Sequence, residues 1–119
     1  MTTQPEQLRD RTKAFALRVI RLFRSLPFKP DAQVLGKQLL RCGTSVAANY
    51  RSVCRSRSKA EFIARIGIVV EEADEAVLWL ELLAESGIVS REKTKELLVE
   101  ASELTAIFAA SQKTARSTK

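Results

Sequence analysis

Four acids in five residues, Glu71, Glu72, Asp74 and Glu75, make the densest carboxylate cluster in the chain. Paired carboxylates can hold a divalent cation or exchange protons with a substrate. On a helix, however, Glu71 and Glu75 share a face one turn apart while Asp74 points elsewhere, so the four cannot converge on one ion. Solvated or interface charge is the expected role, with no metal bound. Cys42 and Cys54 are the other reactive groups. No histidine is present to activate them, and its lack also removes His-based triads, His metal sites and the Glu-x-x-His pairs of di-iron bundles. Placed on one helix, the two cysteines would stand roughly 18 Å apart, too far for a disulfide. Both are expected as reduced thiols in a cytoplasmic protein. The glycines at 36, 43, 67 and 87 are scattered, and none opens a phosphate-cradling loop. An enzyme and a bound cofactor are therefore not expected.

The basic residues offer a different chemistry. Lys37, Arg41, Arg51 and Arg55 fall within about 80° of one another on a helical projection and make a stripe about 27 Å long. Arg57 and Lys59 extend it. Arginine presents a planar fork of donors that matches phosphate oxygens, and such contacts bind nucleic acid without reading its sequence. The net charge of +6 is unevenly divided: residues 1–59 carry +10 and residues 60–119 carry −4. A competing use of the stripe follows from that division. The acidic third helix could accept these arginines, within one protomer or across a subunit contact.

The elements that must position these groups are four helices. Thr3 and Glu6 fit a capping box for a helix over about 5–26, with Phe15, Val19, Leu22 and Leu26 on one face and Arg9, Lys13, Arg21 and Arg24 on the other. Pro27 and Pro30 stop it. Asp31 reads as the N-cap of the second helix, whose seam is Leu35, Leu39, Cys42, Val46, Asn49 and Val53. Asn49 is polar in that seam and is expected to fix register, with Ser45 as its partner. Tyr50 is expected at the seam edge with its hydroxyl at the rim. Ser58 and Glu61 make a second capping box, and Gly87 is a natural residue for the end of the third helix. Its inner face is Phe62, Ile66, Val69, Ala73, Ala76, Val77, Leu80 and Ala84, while Ile68, Trp79, Leu82 and Leu83 form a second apolar face pointing away. A helix that is apolar on two sides needs two partner surfaces. Ser90 caps the fourth helix, whose stripe runs from Leu97 to Phe108, and residues 113–119 are expected to form a disordered tail.

The second and third helices resemble a known family. The stretches Leu35-Gly36-Lys37-Gln38-Leu39-Leu40-Arg41 and Thr44-Ser45-Val46-Ala47-Ala48-Asn49-Tyr50-Arg51 carry the resemblance. So do Phe28 and Pro30, the Ser45 to Asn49 pattern, and Glu71-Glu72-Ala73-Asp74-Glu75 through Trp79-Leu80-Glu81-Leu82-Leu83. Over residues 8–108 the chain is similar to the four-helix bundle proteins encoded by intervening sequences in large-subunit ribosomal RNA genes. The accessory variability determinant of diversity-generating retroelements is similar as well. Where many members have Asn-x-x-Glu-Gly, this chain has Asn49-Tyr50-Arg51-Ser52-Val53. The resemblance implies a homopentamer of antiparallel bundles and, for the retroelement members, binding to nucleic acid and to a reverse transcriptase.

Together these readings predict one all-α domain over residues 1–119, an up-down-up-down antiparallel four-helix bundle without a membrane span or export signal. It is expected to be a non-enzymatic oligomer that binds RNA or DNA through Lys37, Arg41, Arg51, Arg55, Arg57 and Lys59. The alternative is an adaptor or scaffold whose basic face docks an acidic protein. Ile68, Glu72, Glu75, Trp79 and Leu82 are the expected subunit contact, with Trp79 as its anchor.

Overall fold

The computed structural model describes residues 3–118, which form α1 (Gln4–Arg24), α2 (Pro30–Cys54), α3 (Lys59–Glu85) and α4 (Arg91–Ser117). Two of the expected starts have side-chain caps. The Glu6 backbone N–H donates to Thr3 Oγ1 at 3.2 Å, and the Glu61 N–H donates to Ser58 Oγ at 3.1 Å. The start of α2 differs from expectation. Lys29 is its N-cap and Pro30 its first residue, because a proline fits the first helical position without sacrificing a needed donor. Asp31 therefore sits inside the first turn, where its carboxylate accepts from the Ala32 N–H at 2.8 Å. Past the end of α3, Gly87 takes a φ of 81°, a left-handed conformation that glycine adopts without strain.

Short connections join the helices, and α1 packs on α2, α2 on α3 and α3 on α4. Among the described residues no diagonal pair of helices brings its backbones close, although side chains meet across the core, and α1 meets α4 only lightly. This is the contact pattern of an up-down-up-down bundle, 50 × 27 × 19 Å along its principal axes. Its core is filled by Phe15 and Val19, Leu39 and Val46, Ile66 and Leu80, and Leu104 and Phe108, two from each helix. The light α1–α4 seam is stitched by ions. Arg11 Nε and Nη2 donate to the two Glu100 carboxylate oxygens at 2.8 and 2.7 Å, and Nη2 also reaches Glu103 at 2.6 Å. Hydrogen bonding to Glu100 is the main reason the Arg11 pKa is raised. No helix among the described residues is long and apolar enough to cross a membrane.

Four local expectations change. Leu83 is fully buried in the core and does not face away; at 100° per residue it lies only about 20° from Ala76, on the edge of the same arc. Asn49 is half-buried and its Nδ2 donates at 2.9 Å to the Ser45 backbone carbonyl on its own helix, so its amide bond fixes no inter-helix register. Tyr50 is buried with its ring 5.1 Å from that of Phe108. Residues 113–117 continue α4 as helix, which suits the helix formers Lys113, Ala115 and Arg116 in a stretch with no proline or glycine. The last residue of the expected tail, Lys119, lies outside the described residues.

Candidate nucleic-acid interface

The stripe on α2 divides between two neighbours. Arg41 turns toward α3, where Nη1 donates to Glu72 Oε2 at 3.1 Å and Nη2 to Glu75 Oε2 at 3.0 Å. Arg51 and Arg55 turn the other way, toward α1. The spread of about 80° that looked like a single face is wide enough to send its two edges to different helices. Lys37 is exposed nearer the start of α2, and Lys59 is the exposed first residue of α3. Among the described residues, Lys37, Arg51, Arg55, Arg57 and Lys59 make no ion pair.

Arg51 and Arg55 meet Arg9 and Lys13 of α1 across a groove of about 310 Å³. Each helix supplies two cations one turn apart, so both pairs project from single faces. Asp10 and Cys54 complete the lining. Arg9 and Lys13 were legible only as members of the polar side of the first helix. Their pairing with α2 is a consequence of packing. The antiparallel arrangement lays the early turns of α1 beside the last turns of α2, and Arg57 follows immediately in the connection to α3. Four cations around one groove, with a single acid among them, make a site that attracts phosphate oxygens.

The Arg41 cluster does something else. Cys42 Sγ, Glu72 and Glu75 place one donor atom each within 4.8 Å of one another, a spacing that three ligands of one metal ion can have. Arg41 already supplies the positive charge there. The Cys42 thiol, buried and hydrogen-bonded to Glu75, is pushed up to about 12, which opposes the thiolate that metal ligation needs. Hydrogen bonds from Arg41 and then Cys42 hold the Glu75 pKa below its ordinary value. The arrangement is an ion-pair and hydrogen-bond cluster joining α2 to α3.

Of the residues expected at a subunit contact, Ile68 and Leu82 are 45% and 38% exposed, and Leu78 joins them at 47%. Glu72 and Glu75 hold Arg41 within the protomer. Trp79 is half-buried and packs against the core, and its indole Nε1 is shut from solvent without a hydrogen-bond acceptor. It is thus a flank of the core more than a projecting anchor.

Comparison with known proteins places the chain among relatives. Residues 7–110 match the family model described as 23S rRNA-intervening sequence protein. Among solved structures, the chain is similar to a protein of unknown function from the S23 ribosomal protein family of Bacteroides thetaiotaomicron. That protein is 31% identical with a TM-score of 0.85, and the alignment covers 93% of this chain and 99% of the other. No curated protein matches the chain.

Proposed function

Because this chain belongs to the 23S rRNA-intervening sequence protein family, we propose that it is a non-enzymatic accessory protein that binds nucleic acid through the α1–α2 groove. The observation that carries this reading is the convergence of Arg9, Lys13, Arg51 and Arg55 on one groove, none of them in an ion pair among the described residues. Contacts of this kind grip the backbone of a strand and leave base identity unread. Lys37 and Lys59 extend the positive surface beyond the groove, whereas Arg41 is committed to α3 and is not part of it.

The test is a salt titration of binding to random RNA and DNA. Four phosphate contacts give a slope of log K against log salt of about −3. Absence of binding to either nucleic acid at low salt overturns the reading and leaves the competing one, in which an acidic protein docks on the same cations.

Self-association belongs to the same proposal. Ile68, Leu78 and Leu82 are exposed on one side of α3, interleaved with Glu71 and Glu75, and apolar side chains left exposed there favour a partner surface. The resemblance to the bundle family supplies the number, five copies. Light scattering then reads about five times 13.3 kDa, and a single-copy mass removes this part of the reading.

A further inference from the structure

The cationic groove adjoins a second cavity of different character. That cavity has a volume of about 560 Å³, and Arg9 and Cys54 line both. Pro5, Tyr50, Val53 and Phe62 give it apolar walls. Tyr50 and Val53 are buried and Phe62 is half-buried, so the ring of Phe62 is the aromatic surface within reach of a ligand. Arg57 also lines this cavity and makes no ion pair among the described residues. Ser56, another lining residue, has a hydroxyl shut from solvent without a hydrogen-bond partner, an unmet polar group of the kind that proteins seldom leave.

Two adjoining cavities, one cationic and one of mixed lining with an aromatic wall beside Arg9 and Arg57, match the two halves of a nucleotide. The backbone carries the charge, and the base is flat with apolar faces. The size lies within the range of pockets that hold small ligands. A paired base has both faces stacked and its edge occupied, and the deep major groove of duplex RNA keeps side chains out. Only an unpaired base can leave its strand and enter such a cavity.

We propose that the cavity between α1, the end of α2 and the start of α3 receives an unpaired nucleobase of a single strand whose flanking phosphates lie on the Arg9–Arg55 groove. This rests on the reading of that groove as a phosphate site and adds to it a preference for single strands. Phe62 stacks on the base, and Arg57 closes over its phosphate or its face.

The experiment compares three probes against the full chain by fluorescence anisotropy at one salt concentration. They are a ten-nucleotide single strand, the same strand with abasic sites, and a blunt duplex of the same sequence. The base-bearing single strand is expected to bind about tenfold tighter than the abasic strand, as one stacked base provides, and tighter than the duplex. In Phe62→Leu, which keeps an apolar side chain and removes the ring, the difference between base-bearing and abasic strands collapses while abasic binding is retained. Equal affinity for all three probes overturns the base cavity and leaves the phosphate groove standing. Failure of all three to bind at low salt removes the groove, and this proposal with it.

Discussion

The Cys42 thiol donates to Glu75 Oε2 at 3.3 Å, the same oxygen that Arg41 Nη2 reaches at 3.0 Å. One carboxylate oxygen on α3 thus gathers two neighbouring residues of α2. The consequences for the two side chains run in opposite directions. Burial first, and then the bond to Glu75, push the Cys42 thiol up to about 12. Bonds from Arg41 and Cys42 hold the Glu75 carboxyl down.

The two cysteines should therefore differ in reactivity. Cys42 is fully buried and protonated at ordinary pH, and the protonated thiol is a poor nucleophile. Cys54 is half-buried and lines the cationic groove. Titration of the folded protein with an aromatic disulfide at pH 8 should modify Cys54 and leave Cys42 untouched until denaturant is added. Cys54→Ser should abolish labelling of the folded protein. Equal rates at both thiols would contradict the buried hydrogen bond.

Acid should weaken the α2–α3 contact through Glu75. Its folded pKa lies below the ordinary carboxylate value of 4.5, so ionised Glu75 contributes stability that is present above about pH 4.5 and is lost as pH falls through the folded pKa. The effect is small because the side chain is 49% exposed and solvent screens it. In urea unfolding from pH 6 to pH 3, Glu75→Gln should be less stable than the parent protein at pH 6. The two midpoints should converge at the acid end.

Close approach of α1 and α2 depends on glycine at 43. A Cβ added there would lie 2.9 Å from both Val19 methyls, which are rigid and fully buried. Overpacking costs about 1–3 kcal/mol, and the gain in helix propensity returns about 1 kcal/mol. Because both Val19 methyls are held by the core, the upper part of that range applies, and Gly43→Ala should lower Tm by up to about 8 °C, at roughly 4 °C per kcal/mol. At Gly67 the nearest atom is the flexible Gln112 Nε2 at 2.8 Å, which can swing away from its bond to the Ile63 carbonyl. Gly67→Ala should leave Tm within about 2 °C, since lost contact and gained propensity nearly cancel. A thermal scan of both variants checks the contrast.

What the sequence reveals here follows the range of the physics behind it. Caps at Thr3 and Ser58, the proline stop and the glycine at 87 act over a few residues, and the helices begin and end close to where they point. Leu83 departs from the second apolar face because α3 packs on both α2 and α4, and its buried arc is wide enough to include it. Arg41 and Arg51 look alike on a projection, yet one pairs with α3 and the other faces α1. Arg9 and Lys13 join the groove only through contacts between residues some forty positions apart. Periodicity identifies a polar face, and packing decides which flank of it meets a partner.

That division of the α2 arginines gives the most discriminating prediction. Arg51 and Arg55 line the groove with Arg9 and Lys13, whereas Arg41 is held by Glu72 and Glu75. Reversing Arg51 and Arg55 together to Glu removes two phosphate contacts and introduces two like charges. The slope of log K against log salt should shrink by about 1.5, half of that given by the four contacts. Stability should not fall, because neither arginine has an ion-pair partner to lose and the new carboxylates face Arg9 and Lys13. Arg41→Glu should do the reverse. It sets a third carboxylate beside Glu72 and Glu75 and leaves Cys42 next to uncompensated negative charge, so the urea midpoint should fall while the salt slope of binding is unchanged. Measuring both quantities on both variants separates a surface that meets a ligand from a surface that holds two helices together. If Arg41→Glu weakened binding as much as the double reversal, with no loss of stability, the cations of α2 would act as one continuous stripe and the groove would not be the site.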